Sequence, residues 1–280
     1  GLGDEKDITL SGLEAVKTCE KIYLEFYTSI LGVNKDRLEE LYGKKVIEAD
    51  REMVEETMDQ ILDEIALDGE KVNSAILVVG DPFCATTHTD LYLRALKRKI
   101  EVKVIHNASI VNAVGCCGMQ VYRFGEIVSI PLFTEKWRPY SFLDKIHTNL
   151  KVGLHTLVLL DIKVKERTEE NLLKGKKIYE PPMFMDTRTA AKQLLEAEEA
   201  TGKKALSDDT KCFGLARVGQ KDQKVVSGTL KEFATTIDMG GPLHSMVICS
   251  PELHSIEEEM YDFFHCSGEK PIQKELEKKQ

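Results

Sequence analysis

The stretch SAILVVGDPFCATTHTDL, Ser74 to Leu91, sets a thiol, an imidazole and two carboxylates directly behind an apolar run. Cys84 and His88 stand four apart, a spacing that would bring a thiolate and an imidazole onto one helical face as a nucleophile and its base. Ahead of them, Gly80-Asp81-Pro82 closes the apolar run, which puts Asp81 at the carboxyl end of an expected strand. Two further turns are of the same kind. GLGD, residues 1 to 4, precedes a helical pattern, and HNASIVNAVG follows the apolar run at Val102 and opens a small-residue helix with Ser109 as its N-cap. In parallel α/β sheets ligands bind beyond the carboxyl ends of the strands, where loop amides and helix N-termini point outward. Each turn taken alone is explained by backbone geometry, since Gly is permissive and Pro fixes φ. Three together point to one shared pocket.

Other chemistries fit the residues less well. GLGD is not the GxGxxG dinucleotide fingerprint, and no GxxxxGK[ST] is present, so the Gly-Lys-Lys triplets at Gly43, Gly175 and Gly202 read as turn punctuation rather than phosphate loops. The vicinal Cys116-Cys117 lies among Gly and Ala, where small size for tight packing is a sufficient explanation. Seven cysteines without a CxxC pair, and no His cluster at zinc-ligand spacing, predict free thiols in a reducing compartment and no metal. Asn107-Ala108-Ser109 matches a glycosylation sequon only by chance if the chain has no secretory route, and no signal-peptide pattern opens it.

These residues need a scaffold, and the chain alternates strand and helix patterns that predict a largely parallel sheet. Strand-like runs begin at Lys21, Lys44, Ala75, Val102 and Ile127; helical spacing covers Ser11 to Cys19, Lys35 to Tyr42, Asp50 to Leu67 and Thr87 to Lys97. A first α/β domain over 1–133 carries the GLGD, GDPF and NASI loops. The stretch 134–153, Trp-Arg-Pro followed by a short helix, reads as a connector rather than a core element. A second α/β domain over 154–266 holds strands from His155, Cys212, Lys224 and His244 with a helix from Asp186, and 267–280 is a charged tail. A length of 280 residues suits two domains. A net charge of −9 argues against nucleic acid as a partner, and no apolar run is long enough to span a membrane, so a cytoplasmic protein is expected.

In chain order, GLGDEKDIT, YLEFYTS, VVGDPFCATTH, VIHNASIVNAVG, YRFGE, HTLVLLDIKV, LARVG and GPLHSM resemble the diphthine synthase family, a branch of the tetrapyrrole-methylase-like methyltransferases. The likeness runs from Gly1 to about Met260, and VVGDPFCATTH with HNASIVNAVGCCG is similar to the eukaryotic, methyl-ester-forming branch. It implies two α/β domains with S-adenosyl-L-methionine in a cleft between them. The implied cofactor contacts are Leu2, Asp81, Cys84, Ser109 and Ile110, with Leu160, Val218 and His244 from the second domain. The family pattern has Gly at position 84, where Cys stands here, and its members begin with an apolar strand, whereas this sequence starts inside the loop.

The implied reaction methylates the aminocarboxypropyl-histidine of translation elongation factor 2 to diphthine methyl ester, releasing S-adenosyl-L-homocysteine. A homodimer is implied by the same resemblance. Such in-line displacement needs alignment more than covalent catalysis, so neither Cys84 nor His88 is expected to act as nucleophile, and the sequence names no base. Two alternatives stand beside it: a tetrapyrrole methyltransferase of the same fold, and a non-catalytic adaptor that binds the elongation factor.

Overall fold

The computed structural model describes residues 1–25, 27, 32–67, 73–164, 171, 174–175 and 178–267. The charged tail expected from 267 lies, Ser267 apart, outside the described residues, as does Phe26 of the Lys21 run. The chain divides into two compact units, one of Gly1–Val111 with Ile162–Pro182 and Gly219–Lys221, the other of Asn112–Asp161, Met183–Val218 and Asp222–Gln280.

The first unit is built on three parallel strands in the order β2 (Val46–Ala49), β1 (Lys21–Glu25), β3 (Ser74–Leu77). The central strand is buried on both faces, as parallel strands covered by helices are. Ile22 packs on one side with Val16, Leu38 and Val46, and Tyr23 on the other with Val54, Met58 and Leu91. Helix α1 (Leu10–Thr18) starts where the Thr9 hydroxyl accepts the Gly12 N–H at 3.0 Å. Helix α2 (Lys35–Tyr42) starts on the Asn34 side chain and stops at Gly43, left-handed at φ +68. That stop accounts for the first Gly-Lys-Lys triplet. The expected Asp50 to Leu67 helix forms as a π turn, Met53–Thr57, running into α3 (Met58–Leu67), and α4 spans His88–Lys97.

The strand expected at Val102 does not form: residues 101–109 pair with no ladder. At the end of the run, side chains take the backbone amides. Asn107 N–H donates to Asp81 Oδ2 at 3.1 Å and Ala108 N–H to Asn107 Oδ1 at 2.7 Å.

The second unit carries five strands, β4 (Val128–Ile130), β5 (Thr156–Leu160), β6 (Lys211–Ala216), β7 (Lys224–Thr229) and β8 (His244–Ile248), in the order β4-β5-β8-β6-β7. Only β4 and β5 are parallel; the other pairs run antiparallel, so the expectation of a largely parallel sheet holds for the first unit alone. The short link from Ala216 to Lys224 returns the chain beside itself and makes the β6-β7 pair antiparallel.

The division also falls earlier than a boundary at 133, because Val128 and Ile130 belong to this second sheet. The short helix expected in the stretch 134–153 forms as α5 (Ser141–Lys151), but it is a core element rather than a connector. Phe142, Leu143 and Ile146 share one face of that helix and are buried in the second core with Val158, Leu194 and Phe233. Each contributes about 1.5–3 kcal/mol of apolar burial. Helices α6 (Thr187–Thr201), α7 (Leu230–Thr235) and α8 (Ser255–Phe263) complete the unit. All seven cysteines are free thiols, and among the described residues no helix is long and apolar enough to cross a membrane.

Candidate active site

The three turns singled out in the sequence meet in the first unit. Gly80 N–H donates to the Gly1 carbonyl at 2.9 Å, and the Gly1 amino group lies 3.3 Å from the Gly80 carbonyl. Asn107 Nδ2 reaches the Asp7 carbonyl at 2.8 Å, which ties the third turn to the first. Gly80 is left-handed, φ +89, a conformation that leaves this corner to glycine. Leu2 is half-buried beside Gly219, the residue that follows Val218; a Cβ on Gly219 would come within 2.9 Å of the Leu2 Cβ.

Asp81 is the organising side chain. Only 4% exposed, it accepts the Phe83 N–H on Oδ1 at 2.9 Å, and on Oδ2 the Asn107 N–H at 3.1 Å and His106 Nδ1 at 2.9 Å. Burial pushes its carboxyl up, but the amides of Phe83 and Asn107 and the His106 ring outweigh that, so it sits below the ordinary value and is ionised. An ionised carboxylate only accepts, so His106 Nδ1 is the donor of this bond. The His106 side chain is 71% exposed. Cys84 is half-buried and donates its backbone N–H to the Asp81 carbonyl at 3.3 Å. Ser109 is buried, its hydroxyl accepting the Val111 N–H at 3.2 Å, and half-buried Ile110 begins a single helical turn, Ile110–Ala113.

Within the second unit, Leu160, Val218 and His244 come to one end of the five-stranded sheet. Leu160 ends β5, His244 begins the antiparallel neighbour β8, and His244 pairs with Ala216, two residues before Val218. His244 Nε2 donates to the Gly241 carbonyl at 2.9 Å, and its Nδ1 faces the Thr187 N–H at 3.4 Å. Burial holds this imidazole below its ordinary pKa despite the pull of Gly241 and Asp186, so the ring is neutral near pH 7. Arg217 fixes the loop beside it, binding the Met239 and Gly241 carbonyls and pairing with Asp222 at 2.6 Å.

The family profile of Tetrapyrrole (Corrin/Porphyrin) Methylases matches residues 1–234. A Bos taurus protein named diphthine methyl ester synthase is 56% identical over 268 residues, covering 94% of this chain and 92% of the relative. The Homo sapiens protein of that name is 55% identical over the same lengths. A crystal structure of a protein from Entamoeba histolytica superposes with a TM-score of 0.82 at 45% identity, covering 95% of each chain. A crystal structure of diphthine synthase does so with 0.78 at 30% identity, covering 95% of this chain and 93% of the other. The chain belongs to the tetrapyrrole methylase family. It is a methyltransferase, and a methyl donor is its cofactor.

For this methylase, the nucleophile pair suggested by Cys84 and His88 does not assemble. His88 is buried and neither ring nitrogen has a hydrogen-bond partner; it lines a cavity of about 220 Å³ with Val54, Thr87, Leu91 and Arg94. Gly202, like Gly43, is a left-handed helix stop, at φ +63 after α6. Sequence reading missed two residues of the first unit. His106 stands in the sequence only as the start of a turn, because its partner Asp81 is 25 residues away. Glu25 is a fully buried carboxylate at the carboxyl end of the central strand, accepting the Tyr27 N–H at 2.8 Å. A charged residue inside an apolar strand run was the available signal for it. Elsewhere, Glu232, His265 and Cys266 bring metal-type donor atoms within 4.8 Å of one another. Glu232 already caps α7 through Thr229 and accepts the Cys266 thiol.

Proposed function

We propose that this methylase acts in diphthamide biosynthesis, methylating the aminocarboxypropyl-histidine of translation elongation factor 2 to diphthine methyl ester with S-adenosyl-L-methionine as donor. The observation that carries the reading is the set of three turns brought together at the carboxyl end of a parallel sheet, the second joined to the third through Asp81 and both to the first through Gly80–Gly1 and Asn107–Asp7, in a chain 56% identical to a diphthine methyl ester synthase. Leu2, Asp81, Cys84, Ser109 and Ile110, with Leu160, Val218 and His244, are the proposed cofactor contacts.

The residues fit that cofactor. In the first unit Leu2 and Ile110, and in the second Val218, are half-buried apolar residues of the kind that suits an adenosine ring. Beside His244, a Cβ added to Gly241 would meet nothing within 4 Å, so the backbone there is open to a ligand. When bound, S-adenosyl-L-methionine supplies a methyl group on a sulfonium and leaves as S-adenosyl-L-homocysteine. The neutral ring of His244 adds no positive charge next to that cation. Asp81 holds the loops in place, and the small residues Ala108, Ala113 and Gly115 leave room for the acceptor to present first its amine and then its carboxylate. We place the enzyme in the cytoplasm as a homodimer.

The test is mass spectrometry of elongation factor 2 carrying the aminocarboxypropyl group, after incubation with the protein and excess cofactor. Four added methyl groups are expected, one of them released as methanol by mild alkali. A product that stops at three and resists alkali removes the ester-forming assignment and leaves the methyltransferase intact. No transfer to the factor removes the substrate assignment.

A further inference from the structure

We infer that His106, oriented by Asp81, is the proton acceptor for methylation of the acceptor amine, and that it serves no part in forming the ester. The proposal rests on the methyltransferase reading above and concerns how the same site works.

An aliphatic ammonium has a pKa of about 8 to 10 and no lone pair while protonated. Each methyl addition to nitrogen therefore requires loss of one proton. As the nitrogen–carbon bond forms and the carbon–sulfur bond breaks, the bonding pair stays on sulfur, and the amine's proton has already passed to a base. The carboxylate of the same acceptor is ionised at neutral pH and takes the last methyl with no proton to remove. One site thus runs steps that need a base and one that does not.

The geometry supplies such a base. His106 Nδ1 donates to Asp81 Oδ2 at 2.9 Å, which fixes the tautomer and turns the Nε2 lone pair outward on a 71% exposed ring. Asp81 is itself immobilised by the Phe83 and Asn107 amides, and its carboxylate stabilises the imidazolium formed when Nε2 takes the proton. The Phe83 ring flanks the imidazole with centroids 6.2 Å apart. The charged groups around the pair are Asp81, Asp7 and the Gly1 amino group, which interacts with both carboxylates. His106 directly precedes Asn107-Ala108-Ser109, the turn assigned to the cofactor, so the base and the bound methyl group are served by one loop.

Three measurements test this. Nitrogen NMR of the ligand-free protein should find His106 as the Nδ1–H tautomer, and Asp81→Ala should release it; an Nε2–H tautomer in the unaltered protein overturns the proposal. In His106→Gln, cofactor affinity measured by calorimetry should be retained while amine methylation near pH 7 falls about 10²–10⁴-fold. That rate should recover as pH rises toward the amine's own pKa. Ester formation on an acceptor already carrying three nitrogen methyls should be spared by comparison. Equal losses on both steps, or undiminished amine methylation, overturn the assignment of His106. Absence of any transfer by the unaltered protein instead removes the substrate assignment on which the test depends.

Discussion

In the first unit, buried apolar residues form two modest clusters on either face of three short strands, and the proposed site is held by polar links: Asp81 to three donors, Gly80 to Gly1, Asn107 to Asp7. In the second, one large cluster spans β4 to β8 and α5 to α7, and Leu160 and His244 are placed by strand pairing, with Val218 in the turn two residues past β6. A hydrogen bond contributes about 0.5–1.5 kcal/mol net, whereas removing a large core side chain costs about 2–5 kcal/mol. Substitutions in the first unit's turns should therefore weaken binding with the fold intact, and core substitutions in the second should weaken the fold.

The largest effect is expected at a polar exception inside the second unit. Glu257 is fully buried, binding Arg123 Nη1 at 2.5 Å, His155 Nε2 at 3.1 Å and the Gln120 N–H at 3.0 Å. Glu257→Ala leaves these donors without their acceptor and should lower stability by about 3–5 kcal/mol in denaturant unfolding. A loss below 1 kcal/mol would erase the contrast between the units. Burial holds His155 below its ordinary pKa against the pull of Glu257. Burial raises the Glu257 carboxyl, but the amides of His254 and Gln120 and the His155 ring bring it below the ordinary value. In both cases the unfolded chain binds the proton first as pH falls. Stability is then complete above about pH 6.5, declines below it on account of His155, and declines further below about pH 4.3 on account of Glu257. His155→Asn should remove the upper part of that decline in a melting series against pH.

Asp81→Ala sharpens the other side of the comparison. It removes one acceptor shared by Phe83, Asn107 and His106 at loops that water reaches, so the fold should lose only about 1–2 kcal/mol. Cofactor affinity should fall about tenfold, the equivalent of roughly 1.4 kcal/mol, since the direct tie between the second and third turns is lost while Gly80–Gly1 and Asn107–Asp7 remain. Calorimetry with the cofactor decides it: unchanged affinity removes Asp81 from the site, and a melting loss as large as that of Glu257→Ala makes it a core residue.

What could be read in advance follows the range of the interactions. The helix over Lys35 to Tyr42 is local, written in Asn34, the apolar spacing and Gly43, and it forms as expected. The three turns are local too, legible in their Gly, Pro, Asn and Ser content, although of the three only GDPF follows a strand that forms. The Val102 run has the pattern of a strand, yet its last residues are drawn to Asp81, which accepts the Asn107 amide and the His106 ring, a competitor 25 and 26 residues away that pattern reading does not weigh. The short helix after Trp137-Arg138-Pro139 is local as well, but the burial of Phe142, Leu143 and Ile146 depends on distant Val158, Leu194 and Phe233, which local spacing does not encode. The antiparallel second sheet depends on which distant strands pair, and apolar runs at His155, Cys212 and His244 do not encode that order.

The smallest effect is expected at the pair whose spacing first suggested catalysis. A cysteine nucleophile needs a base within hydrogen-bond reach and a route to substrate. His88 is 95% hidden from solvent by its 5% exposure, its ring nitrogens are unpartnered, and the Cys84 thiol is not bonded to either. The spacing of four placed them on neighbouring turns, but the helix begins only at His88, with Ala85 left-handed at φ +60 between them, so they do not share a helical face. Methyl transfer to an amine or a carboxylate also has no covalent enzyme step for a thiolate to serve. The variant Cys84→Ser with His88→Gln keeps the size and polarity of both side chains, and the cavity beside His88 can absorb the difference. Its turnover on the elongation factor should remain of the same order as that of the unaltered protein. Lost turnover with cofactor affinity and melting temperature preserved would mean that these two residues act on the acceptor, and the division between a ligand-holding loop and a filled helix start would have to be redrawn at position 84.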